Sequence, residues 1–267
     1  MNNMGLMQKA IALGAPFLLN LVSLPETGAF ELDLVEAVQA TPGGTQIRFT
    51  APQLKPGAGE PGGRRRGAGG RGPCKNYASL TALVPTTKTT SREFVKGLTT
   101  MAHPTFWFYL PHHSPEAPIE FLLQDENEND VYRTRLQGPQ TAPGIVSVAV
   151  PPTVAPLRGN RSYRWLLAVS CDPGDAFSKM IVRGSIQRVE IPIAAPQSLD
   201  DPQTALEKAI LYANQGIWFD AVTVLGATLQ QRDRNNAAIV AAWADLLKQG
   251  NLEDVVSAPI LPCCTPP

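Results

Sequence analysis

The chain is poor in charge. Only 17% of its 267 residues are Asp, Glu, Lys or Arg, against roughly 25% in an average soluble domain. Its 23 basic residues are matched by 23 acidic ones, which excludes a global field that would draw in a polyanion. There are three histidines and four cysteines, and neither C-x-x-C nor H-E-x-x-H spacing occurs, so the usual zinc signatures are missing. No G-x-S-x-G elbow or P-loop is present, and the G-x-G-x-x-G of Gly67 to Gly72 neither follows a strand pattern nor opens a helical one. The sequence therefore names no nucleophile, phosphate cradle or dinucleotide site, and neither cofactor nor metal is expected. No apolar run reaches the ~20 residues of a spanning helix, so no stable membrane span is expected.

What the chain has in quantity is turn formers, with 22 Gly and 25 Pro, which argue against a wholly helical bundle. Apolar residues make up 43%, enough to build a core at this length. Between Lys9 and Glu26 there is no charge, and Ile11, Leu13, Phe17, Leu18, Leu19, Leu21 and Val22 form a short apolar run interrupted by Pro16 and Asn20. A cationic start, an apolar middle and small residues at Thr27 and Ala29 have the form of a secretory signal. Residues 1–29 are expected to be removed by cleavage after Ala29, with Ala40 as the alternative. An exported, periplasmic or envelope protein follows. Cys74, Cys171, Cys263 and Cys264 are then candidates for disulfides. Four cysteines allow three pairings. The strained ring of a vicinal bridge disfavours Cys263 with Cys264 and favours cross-links from that pair to Cys74 and Cys171.

Charge is uneven along the chain: residues 41–75 carry a net +6. Within them, eleven of the nineteen residues from Lys55 to Pro73 are Gly or Pro, interleaved with Arg64, Arg65, Arg66 and Arg71. Such a composition buries too little apolar surface to offset its ordering entropy, so residues 30–73 are expected to be a disordered linker. The arginines could contact an anionic envelope surface. Nucleic acid is not expected as a partner, since there is no aromatic residue for base stacking between Thr50 and Pro73.

Between Tyr77 and Ile193, about seven apolar runs are separated by turn residues: Ser79 to Val84, Thr105 to Leu110, Ile119 to Gln124, Val131 to Arg135, Ile145 to Val150, Ser162 to Ser170 and Ile181 to Ile191. Tyr163, Trp165, Leu167, Val169 and Cys171 alternate with Arg164, Leu166, Ala168 and Ser170, which places the two sets on opposite faces of one strand. Short, evenly spaced strands over residues 74–197 fit an antiparallel β-sandwich of immunoglobulin-like size. Of the aromatic run Phe106, Trp107, Phe108 and Tyr109, two residues should enter the core and two should face elsewhere, so Trp107 and Tyr109 are candidates for ligand stacking. His103 lies ~25 Å along that strand from His112 and His113, too far to share a metal.

Residues 198–256 carry helical periodicity. Asp201 is a candidate N-cap with Pro202 at the first helical position. Leu206, Ala209, Ile210 and Ala213 recur to Gly216; Trp218, Ala221, Val222, Leu225 and Leu229 follow; a third stretch starts at Asn235 or Asn236 and ends at Gly250. Ala209, Tyr212, Ala221 and Leu225 overlay part of a tetratricopeptide hairpin, making Tyr212 and Trp218 candidate contacts for a partner protein. Residues 257–267 form a cysteine-containing tail. The class is α+β: a β-sandwich followed by a short tetratricopeptide-like helical module.

Several unusual words occur in one order: Arg71-Gly-Pro-Cys74, Leu80 to Pro85, His103 to Pro111, Glu120 to Asp125, Tyr163-Arg-Trp165, Cys171-Asp-Pro173, Leu211-Tyr-Ala213, Gly216 to Ala221 and Pro262-Cys-Cys264. In these the chain resembles the cyanobacterial family called domain of unknown function 928. The resemblance implies an exported protein with a strand-rich body and a helical C-terminal segment, and supplies no site residue. The expected function is that of a non-enzymatic envelope module binding a protein or an envelope polymer. The alternatives are a glycan hydrolase using Glu116, Glu120 or Asp125, and a cytosolic polyanion binder working through Arg64 to Arg71.

Overall fold

The computed structural model describes residues 46–52, 62–68, 72–88, 92–112, 118–139, 143–172, 174–175, 177–191, 202–231 and 236–262. The expected signal segment, Arg71, His113, Glu116, Asp201, Cys263 and Cys264 lie outside the described residues. Among the described residues nine strands and three α-helices follow in order: β1 (Thr81–Ala82), β2 (Thr86–Lys88), β3 (Glu93–Thr99), β4 (Thr105–Leu110), β5 (Ile119–Gln124), β6 (Asp130–Leu136), β7 (Gly144–Ala149), β8 (Ser162–Ser170), β9 (Lys179–Arg188), α1 (Pro202–Asn214), α2 (Trp218–Gln231) and α3 (Ala237–Gln249). Among the described residues no helix is long and apolar enough to cross a membrane.

The strands form a three-stranded sheet, β1-β4-β7, and a six-stranded sheet, β2-β3-β9-β8-β5-β6. One core lies between them, because alternate residues of each strand point the same way. Phe106, Phe108, Val146 and Val148 from the smaller sheet meet Phe121, Leu123, Trp165, Leu167 and Val182 from the larger. The wholly antiparallel arrangement expected from sequence is corrected at one place: β3 runs parallel to β9. A parallel neighbour requires a long connection, and the strands between β3 and β9 provide it.

The aromatic strand β4 divides as its alternation dictates. Phe106 and Phe108 enter the intersheet core, whereas Trp107 and Tyr109 pack on the helical side. Trp107 stands edge-on to Trp243 with ring centroids 6.1 Å apart, and its indole N–H donates to the Thr223 hydroxyl at 3.1 Å. Gly226 makes room for it, since a Cβ there would lie 2.6 Å from the Trp107 ring. The helices thus cover the outer face of the small sheet and build a second core with Leu83, Trp107 and Ile145. Asn236 caps α3, its side-chain oxygen accepting from the N–H groups of Ala238 and Ile239, as asparagine at an N-cap should.

Two segments of the expected linker are ordered. In 46–52, Ile47 is buried, Phe49 meets the edge of Trp218 at 4.8 Å, and the Phe49 N–H donates to the Gln249 side chain. In 62–68, Arg64 pairs antiparallel with Arg183 and Arg66 with Thr81, so this strap joins the larger sheet to the smaller one. The reason is an open edge: β9 pairs with β3 only from Ser185 to Arg188, and the strap's backbone satisfies groups on the stretch left free. Gly63 is needed there, because a Cβ would lie 2.6 Å from the Val95 side chain.

Cys74 and Cys171 are joined by a disulfide. This corrects the expected cross-links from the tail cysteines, for a geometric reason: β8 ends at Ser170 beside the 3-10 turn Gly72–Tyr77, which brings the two Cα atoms to 4.9 Å. The bridge closes the strap's C-terminal end onto the larger sheet.

Candidate functional site

Most of the residues picked out from the sequence are used inside the protein. Trp107, Tyr212 and Trp218 are buried and Tyr109 packs against the helical core, so none presents a flat face to a ligand or partner. The Trp218 indole N–H donates to the Leu83 carbonyl at 2.7 Å. Arg65 is buried and its guanidinium donates to the Gly250 carbonyl at 2.6 Å, at the C-terminal end of α3, where a cation complements the helix dipole. Burial and the neighbouring Arg66 pull its pKa below the ordinary arginine value. Arg66 forms a two-pronged pair with Asp254 at 2.5 and 2.7 Å. Arg64 alone of these three is exposed. Arg65 and Arg66 are thus clamps between sheet and helices, which corrects their reading as part of a free cationic tether.

The carboxylates proposed for hydrolysis are kept apart. Glu120 and Asp125 lie ~17 Å apart along β5 and its following turn, beyond the ~5 to 9.5 Å that paired glycosidase carboxylates need. The hydrogen bond from Lys179, helped by Arg135, holds the Glu120 carboxyl below its usual range. Asp125 is turned into its own loop, accepting from the Asn127 and Asn129 N–H groups and the Asn129 side chain, and these Asn129 contacts hold its pKa down. Both therefore stay ionised, the wrong state for a general acid. His103 shares a hydrogen bond with the Val154 carbonyl and His112 packs edge-on to Tyr77, so the two remain at opposite ends of β4. Among the described residues no group of three His, Cys, Asp or Glu could hold a metal ion.

A buried carboxylate that sequence did not single out sits in the first turn of α2. Asp220 accepts from the Thr99 hydroxyl at 2.5 Å, from the Thr100 N–H at 2.9 Å and from the Thr100 hydroxyl. Burial pushes its pKa up, the threonine hydrogen bonds and Lys208 opposing. The contact ties the helices to the end of β3. Its only sequence signal is an acid in the N-terminal turn of a helix with no other charged residue.

The chemistry available to a partner lies on the outer face of the six-stranded sheet. Strand register makes rows across it, since directly opposed residues share a face. Arg133, Leu122, Leu166 and Arg183 form one row; Arg135, Glu120, Ala168 and Ile181 form the next; Asp130, Gln124, Arg164, Ser185 and Lys96 form a third. With Lys179, opposite Ser170, these rows hold six cations and two carboxylates. The cations come from four different strands, which is why no basic run marks them in the sequence. Several ion pairs are surface ones: Arg133 with Asp130, Arg135 with Glu120 and Arg164 with Glu128. Such pairs are worth only about 0 to 1 kcal/mol and exchange readily for a partner's carboxylate. Among the described residues, the exposed Arg183 side chain makes no ion pair or hydrogen bond.

A groove of about 250 Å³ is set into this face, with Phe94, Val95, Leu122, Trp165 and Leu166 as its apolar lining and Gln124, Arg164 and Arg183 among its polar groups. A larger hollow, about 390 Å³, lies at the β5–β6 turn. There the charges are internally matched, with Glu126 paired to Arg161 and Asp125 held in its turn.

No curated protein and no solved structure matches the chain. Residues 61–260, which span both sheets and all three helices, match the family described as Domain of Unknown Function (DUF928), and the chain belongs to that family.

Proposed function

We propose that the protein is an exported, non-enzymatic interaction module that engages an acidic partner through the outer face of its six-stranded sheet. The observation that carries this reading is the excess of cations over carboxylates on that face, around an apolar groove. Charged rows of this kind steer a complementary surface into place, and the apolar patch among them adds binding energy. The two sheets are read as a β-sandwich that displays the face, stapled by the Cys74–Cys171 bridge and the strap. The α1–α2 hairpin is read as a tetratricopeptide-like cap whose Ala209, Tyr212, Ala221 and Leu225 are spent on packing, so it stabilises rather than docks. The apolar start and the disulfide support export, where such a bond persists.

Polyglutamate is the probe for the face. Wild-type protein should bind it with an affinity that falls between about 50 and about 200 mM salt, and Arg164→Glu with Arg183→Glu should weaken binding at least about tenfold. Lys248→Glu, on the exposed side of α3, should change it little. The reverse pattern would move the activity to the helical side and overturn the assignment to this face. Export is tested by the intact mass of protein from the native cell, with and without reduction and alkylation. Loss of the first 29 or 40 residues, with Cys74 and Cys171 alkylated only after reduction, is expected; a full-length chain with these two thiols freely alkylated would contradict it.

A further inference from the structure

Resting on that reading, we infer that the groove on the outer sheet face is an anchor pocket for one apolar side chain of an acidic peptide segment. The partner it fits is a stretch of another protein in which a leucine or phenylalanine is flanked by aspartates or glutamates.

Three observations narrow the occupant to this chemistry. The floor is hydrocarbon: Leu122 and Leu166 are directly opposed on β5 and β8, both half-buried, and Phe94 of β3 closes one side. The part of these aliphatic side chains left in contact with water is apolar surface, and covering it is favourable. Cations flank the floor: Arg183 and Arg164 line the groove, and Arg133 stands beyond it at the far end of the Leu122–Leu166 row, opposite Leu122. A guanidinium fork matches a carboxylate in a planar, two-pronged way. The row spans four adjacent strands, β6, β5, β8 and β9. With ~4.8 Å between strands, Arg133 and Arg183 stand ~14 Å apart at the backbone. An extended peptide reaches that distance in about four residues, so acids placed on either side of a single anchor meet both arginines. A volume of about 250 Å³ suits one large side chain.

The same features disfavour a uronate polysaccharide, the other acidic polymer that could meet this face. A sugar ring stacks on an exposed aromatic plane. The aromatic residues of this groove, Phe94 and Trp165, are turned away from solvent at 9% and 1% exposure, so the accessible floor is aliphatic.

The test uses two fluorescein-labelled heptapeptides, EDELDED and its twin EDEADED, together with a galacturonic acid tetramer, all titrated against the disulfide-intact protein. The leucine peptide should bind at least about tenfold more tightly than the alanine twin, a discrimination of the size that one buried anchor confers, and more tightly than the sugar. Leu166→Glu should remove that preference, while a thermal melt matching the wild type shows that the variant is folded. Equal binding of the twins overturns the anchor pocket yet leaves the basic face standing, provided that both are lost in Arg183→Glu. Tighter binding of the tetramer overturns the peptide in favour of a polysaccharide. Failure of both peptides and of polyglutamate removes the anchor and the face together.

Discussion

Truncating Trp165 to alanine is expected to lower the unfolding free energy by about 3 to 5 kcal/mol, the loss typical of a large aromatic taken from a packed core. The ring lies in the intersheet core, with Phe108 at 5.8 Å and Phe106 at 6.2 Å between centroids. Gly184, opposite it on β9, has no side chain because a Cβ there would lie 2.5 Å from the indole. The conservative variant makes the prediction sharper. Among the described residues the buried Trp165 indole nitrogen finds no hydrogen-bond partner, so Trp165→Phe deletes no hydrogen bond to them. Its cost is then the transfer and cavity loss of the missing ring alone, about 1 to 2 kcal/mol. Trp218→Phe should cost about 1 to 3 kcal/mol more, because it leaves the Leu83 carbonyl without its donor. Urea melts of the two phenylalanine variants decide this; equal losses would contradict the placement of the two indoles.

Asp220→Ala is the second large effect, expected at about 2 to 4 kcal/mol, since it strands the Thr99 hydroxyl and the Thr100 N–H and hydroxyl in a buried contact. Asp220→Asn keeps an acceptor for them and should cost about 1 kcal/mol. The pH dependence has a definite sign. Burial raises the folded-state pKa of Asp220 above its unfolded value, so at intermediate pH the folded state binds more protons than the unfolded state. The contribution of this group is therefore greatest below the unfolded pKa of about 3.9 and is lost as pH rises through the raised folded value. Relative to wild type, Asp220→Asn should thus become less destabilising as pH rises across that window. A difference that grows with pH would mean that the threonine donors, and not burial, dominate this carboxyl.

Much of the body was legible because local pattern and tertiary demand agreed there. The alternation Tyr163, Trp165, Leu167 against Arg164, Leu166, Ala168 placed β8 and its two faces. The aromatic strand β4 divided between two cores as period two requires, and α3 runs between the expected caps Asn236 and Gly250. β3 escaped because its burial is nearly continuous and it contains Gly97, whose missing side chain admits Phe219 of α2. The strap escaped for a different reason. Its composition is that of a linker, and what orders it is a vacant stretch of β9, visible only once β3 and β9 are aligned. Arg65 and Arg66 then become clamps because α3 ends beside them.

The candidate site was the least legible part. Tyr212, Trp218 and Trp107 are conspicuous in sequence, yet a large aromatic in a mixed fold is most valuable in the core, and the three helices bury them all. Arg133, Arg164, Arg183 and Lys96 are unremarkable one by one. They converge through register, a property of strand pairing and not of any local word.

The most direct measurement of the central claim is methyl NMR of the disulfide-intact protein titrated with polyglutamate. The account predicts that the methyl signals of Leu122, Leu166 and Ile181, on the outer face of the six-stranded sheet, shift first and saturate together, while those of Val240 and Leu229 on the helical side stay fixed. Saturating shifts at Val240 and Leu229 with Leu122 and Leu166 unmoved would contradict it.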